Sequence, residues 1–170
     1  MLGHVKSLQE LFEIQLNYAY DCEKKLVEKG LPTMIEKAGS PELRTALQQH
    51  LGETREQVIR LEQIFGSLGL EANTKSNAIF NEMSSAVKDS ISNIEESPLR
   101  DAALIANGNI VEHYEIATYG SLVAFARELG YGQAAMLLEQ TLEEEKNANA
   151  VLTQIATRLM NPRAARAQSV

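Results

Sequence analysis

The sequence predicts an all-α fold: a four-helix bundle whose two hairpins are joined by a long crossover containing an extra helix. Three observations predict it. Apolar residues step by three and four through four long stretches, the spacing of a single helix face. The composition favours helix, with Ala, Leu, Glu, Gln and Lys plentiful, 10 glycines, 4 prolines and only 5% aromatics. The punctuation also repeats, because "SP" at Ser40-Pro41 and at Ser97-Pro98 opens the second and third stretches.

The first helix carries Leu8, Leu11/Phe12, Leu16, Ala19/Tyr20, Glu23 and Leu26/Val27, apolar at each step except Glu23. Gly30 and Pro32 in "EKGLP" predict a break or kink before "TMIEKAG". The second helix begins at "SPEL", with Ser40 as N-cap, Pro41 in the first helical position and Glu42 against the helix dipole. Gly66 or Gly69 ends it. Residues 71–97 are more polar, yet Ile79, Phe80, Met83, Val87, Ile91 and Ile94 still step helically, which predicts the crossover helix. The third helix runs from Ser97-Pro98 to about "ELGYG", and the fourth from about Gln133 to Met160. Asn161-Pro162 is expected to close it, leaving one domain over residues 1–160 and a flexible tail over 161–170.

An internal echo supports two related hairpins. A shift of 91 positions lays the second helix on the fourth and matches Leu47 with Leu138, Leu51 with Leu142, Glu53 with Glu144 and Leu61 with Leu152. A shift of 92 sets Glu23 opposite Glu115.

A chain of 170 residues is long enough to bury a sizeable core. Its formal charge of −7 argues against a nucleic-acid or anionic-membrane surface and fits a protein that handles cations. Cys22 is the single cysteine, so no internal disulfide forms and a cytoplasmic setting is the expectation. "MLGHVKSLQELFE" lacks the apolar core of a signal peptide. The apolar run over residues 102–126 is interrupted by Glu112, Glu115, Asn107 and Asn109, which speaks against a membrane span.

That interruption is the most informative feature of the chain. Between Ala102 and Ala126 the only charged side chains are Glu112 and Glu115, set in "VEHYEIATYG". Each of the other long helices also carries a glutamate near its midpoint, on or beside the apolar row: Glu23, Glu53 and Glu144, with Glu145 as the alternative in the last. A bare buried carboxylate costs several kcal/mol, and mutual repulsion adds to it. No lysine or arginine lies on these rows, so protons or cations must neutralise them. Two divalent metal ions would suit four or five such groups. His50, one turn before Glu53, can be a ligand or orient one. Gln57, His113, Tyr20 and Tyr119 are candidates for outer contacts, and His4 is expected to be inert. Solvated surface positions remain the competing reading for Glu23, Glu53 and Glu144.

At these residues the chain resembles the ferritin-like superfamily of carboxylate-bridged di-metal proteins, and more closely the YciE/YciF family of bacterial stress-response proteins. "LPTMIEKAGSPEL", "HLGETREQVIRLEQIFGSLG", "VEHYEIATYGSLVAFARELG" and "LLEQTLEEEKNANAVLTQIA" carry the resemblance, which spans all but the C-terminal tail. It implies a ferritin-like bundle, a dinuclear centre and a homodimer. The superfamily usually places Glu-x-x-His on two helices. Here Glu56 follows Glu53 at that spacing and Asn147 follows Glu144, while Glu112-x-x-Glu115 looks more like the rubrerythrin arrangement. A site rich in hard oxygen donors suits iron, with manganese as the alternative. The leading expectation is therefore a cytoplasmic di-metal protein held by Glu23, Glu53, Glu112, Glu115, Glu144 and His50. The alternative is a dimeric helical scaffold with no redox chemistry. No pocket residues for an organic substrate are identifiable.

Overall fold

The computed structural model describes residues 4–73 and 75–167. Its helices are α1 (Leu8–Lys25), α2 (Leu31–Lys37), α3 (Pro41–Ser67), α4 (Ala78–Ser92), α5 (Pro98–Glu128), α6 (Gly132–Ile155) and α7 (Asn161–Ala167). No strand occurs among the described residues. The arrangement is a ferritin-like four-helix bundle. The first hairpin, α1 and α3, packs on the second, α5 and α6, with α1 against α3 and α5, and α6 against α3 and α5. The crossover helix α4 lies on α5.

Local chemistry explains where each long helix starts and stops. The Ser7, Ser40, Asn77 and Ser97 side chains each accept from the backbone N–H three residues on, capping α1, α3, α4 and α5. Past α3 and α5 the chain turns at Gly69 and Gly130, whose φ of 66° and 74° would strain any residue with a Cβ.

Pro162 does not close its helix as expected, and at Pro32 the expected break is absent. Neither Pro32 nor Pro162 stops its helix. A proline lacks the N–H that would bond four residues back, and its ring crowds that carbonyl. In both places the preceding turn widens into a five-residue π segment, Leu26–Gly30 before Pro32 and Ala156–Met160 before Pro162. The N–H groups of Leu31 and Asn161 then reach the carbonyls of Leu26 and Ala156. The chain therefore passes without a break from α1 into α2 and from α6 into α7. The tail expected from Asn161 onward is helical to Ala167, with Ala164 buried and α7 packed on α5. Residues 168–170 of that expected tail lie outside the described residues.

The core divides into two apolar clusters. One, around Phe12, Leu16, Phe65, Leu122 and Leu138, fills the end near the α3 and α5 C-termini. The other, around Leu26, Leu43, Leu104, Leu152 and Met160, fills the opposite end. Gly108 marks a close approach in the second, since a Cβ there would lie 3.0 Å from Leu152 Cδ1.

Two buried acids tie the frame together. Asp101, in the first turn of α5, accepts from the backbone N–H groups of Gly39 (2.8 Å) and Ser40 (2.7 Å), fastening the α2–α3 corner to the second hairpin. Asp21 accepts from the Asn77 backbone N–H at 3.0 Å and from Lys25 Nζ at 2.5 Å, fixing the start of α4 on α1. Asp101→Ala removes the acceptor for two N–H groups at a buried corner. It is expected to lower the unfolding free energy by roughly 1.5–3 kcal/mol, read from the urea midpoint at unchanged m-value.

Candidate metal centre

Between the two apolar clusters the helices present acids instead of hydrocarbons. Glu23 from α1, Glu112 and Glu115 from α5 and Glu145 from α6 are all buried, as is His50 from α3. Ligand atoms of His50, Glu112, Glu115 and Glu145 all lie within 4.8 Å of one another. His50 Nε2 stands 3.4 Å from Glu112 Oε1 and 3.7 Å from Glu145 Oε2. Glu23, outside that group of four, borders it from the α1 side next to Glu115. Tyr119, 1% exposed, donates its hydroxyl to Glu23 Oε1 at 2.5 Å. Cys22 donates its thiol to Glu115 Oε1 at 3.7 Å.

Helical rows account for this convergence. On α5, Gly108, Glu112, Glu115, Tyr119 and Leu122 are successive buried positions on one face. On α3 the buried row runs Leu47, His50, Thr54, Gln57, Leu61, and on α6 it runs Leu138, Thr141, Glu145, Ala148, Leu152.

Those last two rows hold Thr54 and Glu145 in the buried positions and leave the expected Glu53 and Glu144 one residue to the side. Glu144 is not part of the cluster. About 100° around the helix from Glu145, it takes a two-pronged ion pair from Arg60, with Nη2 to Oε1 at 2.6 Å and Nη1 to Oε2 at 2.7 Å. Glu53 likewise stands beside the cluster, with its side chain 27% exposed and Oε2 at 3.5 Å from His50 Nδ1, without hydrogen-bond alignment. Its neighbour Thr54 takes the inward position and returns its hydroxyl to the His50 carbonyl at 2.8 Å.

Gln57 joins inner and outer acids. Its amide donates to Glu145 Oε1 and, at 3.1 Å, to Glu144 Oε2. The sequence marks Gln57 only as an outer contact and assigns Arg60 no role. Arg60 lies three residues after Gln57, on the side that faces Thr141 and Glu144, and that spacing was the available signal. His113 is exposed on its own helix, Tyr20 turns to Glu62 and Phe65, and His4 is exposed.

The electrostatics are those of a site with more acid than base. Burial pushes the carboxyls of Glu112 and Glu115 well above the usual range, and like-charged neighbours add to it. Glu145 is raised by burial as well, against the pull of His50. Burial, then Glu145, pushes Glu23 up to about 8, although the Tyr119 hydrogen bond pulls the other way. Burial opposes a charge on His50, but Glu53, Glu112, Glu145 and Glu23 together raise it to about 10. One oxygen on each of Glu23, Glu112, Glu115 and Glu145 is buried with no hydrogen-bond partner among the described residues. Four carboxyls, each with an unpaired buried oxygen, beside one imidazole form a donor set suited to hard divalent cations.

A bundle with a crossover helix and a carboxylate-lined interior defines a protein of the ferritin-like class. The chain belongs to the family described as Domain of unknown function (DUF892), whose model matches residues 7–165. It is 36% identical over 165 residues to Protein YciF of Escherichia coli strain K12, covering 95% of this chain and 97% of that one. The crystal structure of the E. coli stress protein YciF superposes with a TM-score of 0.87 at 35% identity, covering 92% of this chain and 99% of that one. YcfI from Rhodopseudomonas palustris, whose description proposes a structural role, gives the same TM-score of 0.87, the same 35% identity and the same coverage of 92% and 99%. A Xanthomonas campestris pv. campestris protein, XCC3681, at 21% identity and TM-score 0.71, shares the fold.

The raised carboxyls fix a pH dependence for the metal-free protein. A group whose pKa is higher folded than unfolded stabilises fully below its unfolded value, and that stability is lost as pH climbs through the folded value. For Glu23 the window runs from 4.5 to about 8, and for His50 from 6.5 to about 10. The thermal midpoint of chelator-treated protein is therefore expected to fall steadily from pH 5 to pH 8, measured by circular dichroism. A midpoint that rises over this range would contradict the cluster's electrostatics.

Proposed function

We propose that this chain is a di-metal carboxylate protein of the ferritin-like type, with a role in the stress response. The observation that carries the reading is the set of unpaired, buried carboxylate oxygens converging on His50 in the middle of the bundle. Glu23, Glu112, Glu115, Glu145 and His50 would hold two divalent ions, iron first and manganese second. Glu145 takes the role the sequence gave to Glu144.

Bound iron would supply redox chemistry, namely oxidation of Fe(II) by dioxygen or peroxide. The chain's own residues do the rest. Gln57 holds one oxygen of Glu145 and so turns the other toward the cluster. Tyr119 does the same for Glu23. Arg60 neutralises Glu144, so that this acid adds little to the charge the ions must balance. The apolar clusters on either side keep bulk water away from the acids. The stress role rests on the likeness to the E. coli stress protein YciF. A homodimeric assembly is carried by the family likeness alone, and cytoplasmic residence by that likeness and the lone Cys22. No helix among the described residues is long and apolar enough to cross a membrane.

Anaerobic Fe(II) titration of metal-free protein, followed by air, tests the reading. Binding of about two ions per chain and growth of a ferric absorption band on aeration are expected. Failure to bind would end the proposal. Saturating metal should stabilise the fold by about 2.7 kcal/mol at a hundredfold excess over Kd, read as a raised thermal midpoint. Glu145→Gln should abolish most of that gain, whereas Glu144→Gln should leave it nearly intact.

The structural description of YcfI favours a second reading, a helical scaffold needing no metal. A scaffold would show the same thermal midpoint before and after chelator treatment.

A further inference from the structure

The acid cluster is enclosed on several sides. Cys22, Glu23 and Tyr119 back it toward α1 and α5, and Thr54 and Gln57 close it along α3, all of them buried. At the seam between α3 and α6, a cavity of about 30 Å³ reaches His50 and Glu112 past Ala46 and Ala148. That space holds a water or two. It does not hold a divalent cation with a full hydration shell, so an ion taking this route must shed water at the mouth, which small hard cations do reluctantly.

Glu53 stands at that mouth. Its side chain is 27% exposed and Gln49 donates to Oε1 at 3.0 Å, which leaves Oε2 facing His50 Nδ1 at 3.5 Å. The His50 Nε2 atom is in turn 3.4 Å from Glu112 Oε1 inside the cluster. An outer carboxylate, an imidazole and an inner carboxylate thus form a line from solvent to the centre. Two atoms along it, His50 Nδ1 and Glu112 Oε2, are buried without a hydrogen-bond partner. No lysine or arginine lines the cavity, and besides His50 the polar side chains along it are Gln49, Glu53, Glu112 and Asn147.

We propose that Glu53 is the entry residue of the centre. It replaces water ligands on an incoming divalent cation at the α3/α6 seam and passes the ion to His50 and Glu112, without holding it at rest. This rests on the metal-centre reading and adds a route and a role for a residue outside the resident set.

Stopped-flow mixing of the metal-free full chain with Co(II), followed by visible absorbance, gives the association rate, and calorimetry gives the affinity. For Glu53→Gln, association is expected to slow about tenfold while Kd stays within about threefold, so that release slows in step. Ala148→Leu, which fills the mouth and leaves Glu53 in place, should slow association likewise. A Glu53→Gln variant that loses affinity about tenfold at unchanged association rate would make Glu53 a resident ligand and overturn the proposal. Unchanged rate and affinity would overturn it as well. Wild-type protein that takes up no Co(II) is a different result: it removes the metal centre itself, and the entry role with it.

Discussion

Four carboxyl groups share a space sheltered from bulk water, and the rest of the molecule has to make that tolerable. Burial alone disfavours their ionised forms, and proximity compounds it. Protons can relieve the strain in the metal-free chain and divalent cations can relieve it in a loaded one. Lysine and arginine do neither, because Arg60, which packs beside the cluster, is spent on Glu144. The single basic group inside is His50, whose raised proton affinity is a direct consequence of its acidic company.

Such a cluster needs a stiff frame, since groups that repel one another would spread apart if the backbone allowed it. The frame is supplied in layers. Apolar residues fill the bundle above and below the acids, so any spreading would open voids in two packed cores. Asp101 binds the corner of one hairpin to the first turn of the other, and Asp21 holds the crossover in place. Tyr119 and Gln57 then limit how individual carboxyls can turn. Stability at the ends is what lets the middle carry polar groups.

Much of this was legible in the sequence. The Ser-Pro openings at Ser40 and Ser97 set two helix starts, and of Gly66 and Gly69 it is Gly69 that takes the positive φ after α3, because capping and positive φ are local chemistry. Glu112 and Glu115 stood out because their helix offers almost nothing else that is charged. Two kinds of information were not legible. At Glu53/Thr54 and Glu144/Glu145 both neighbours satisfy a spacing of three or four from the flanking buried residues. Periodicity cannot choose between them; the packing of the bundle does, and for Glu144/Glu145 it does so through Arg60 and Gln57 of the facing α3. The register of 91 that matched Glu53 to Glu144 does pair equivalent positions, but they are the half-buried flanks of the site. The prolines were the second gap. Pro41 and Pro98 begin helices behind an extended Ser N-cap, while Pro32 and Pro162 sit within continuing ones behind a widened turn.

Cys22 shows how far this environment reaches. Its sulfur lies against a glutamate in the dry interior, and burial together with Glu115 and Glu23 pushes its proton affinity well up. Alkylating reagents attack the thiolate, which this setting withholds. The one sulfhydryl of the chain is consequently silent while the helices stay together and becomes reactive when they part. It serves as a built-in reporter on the opening of the carboxylate chamber.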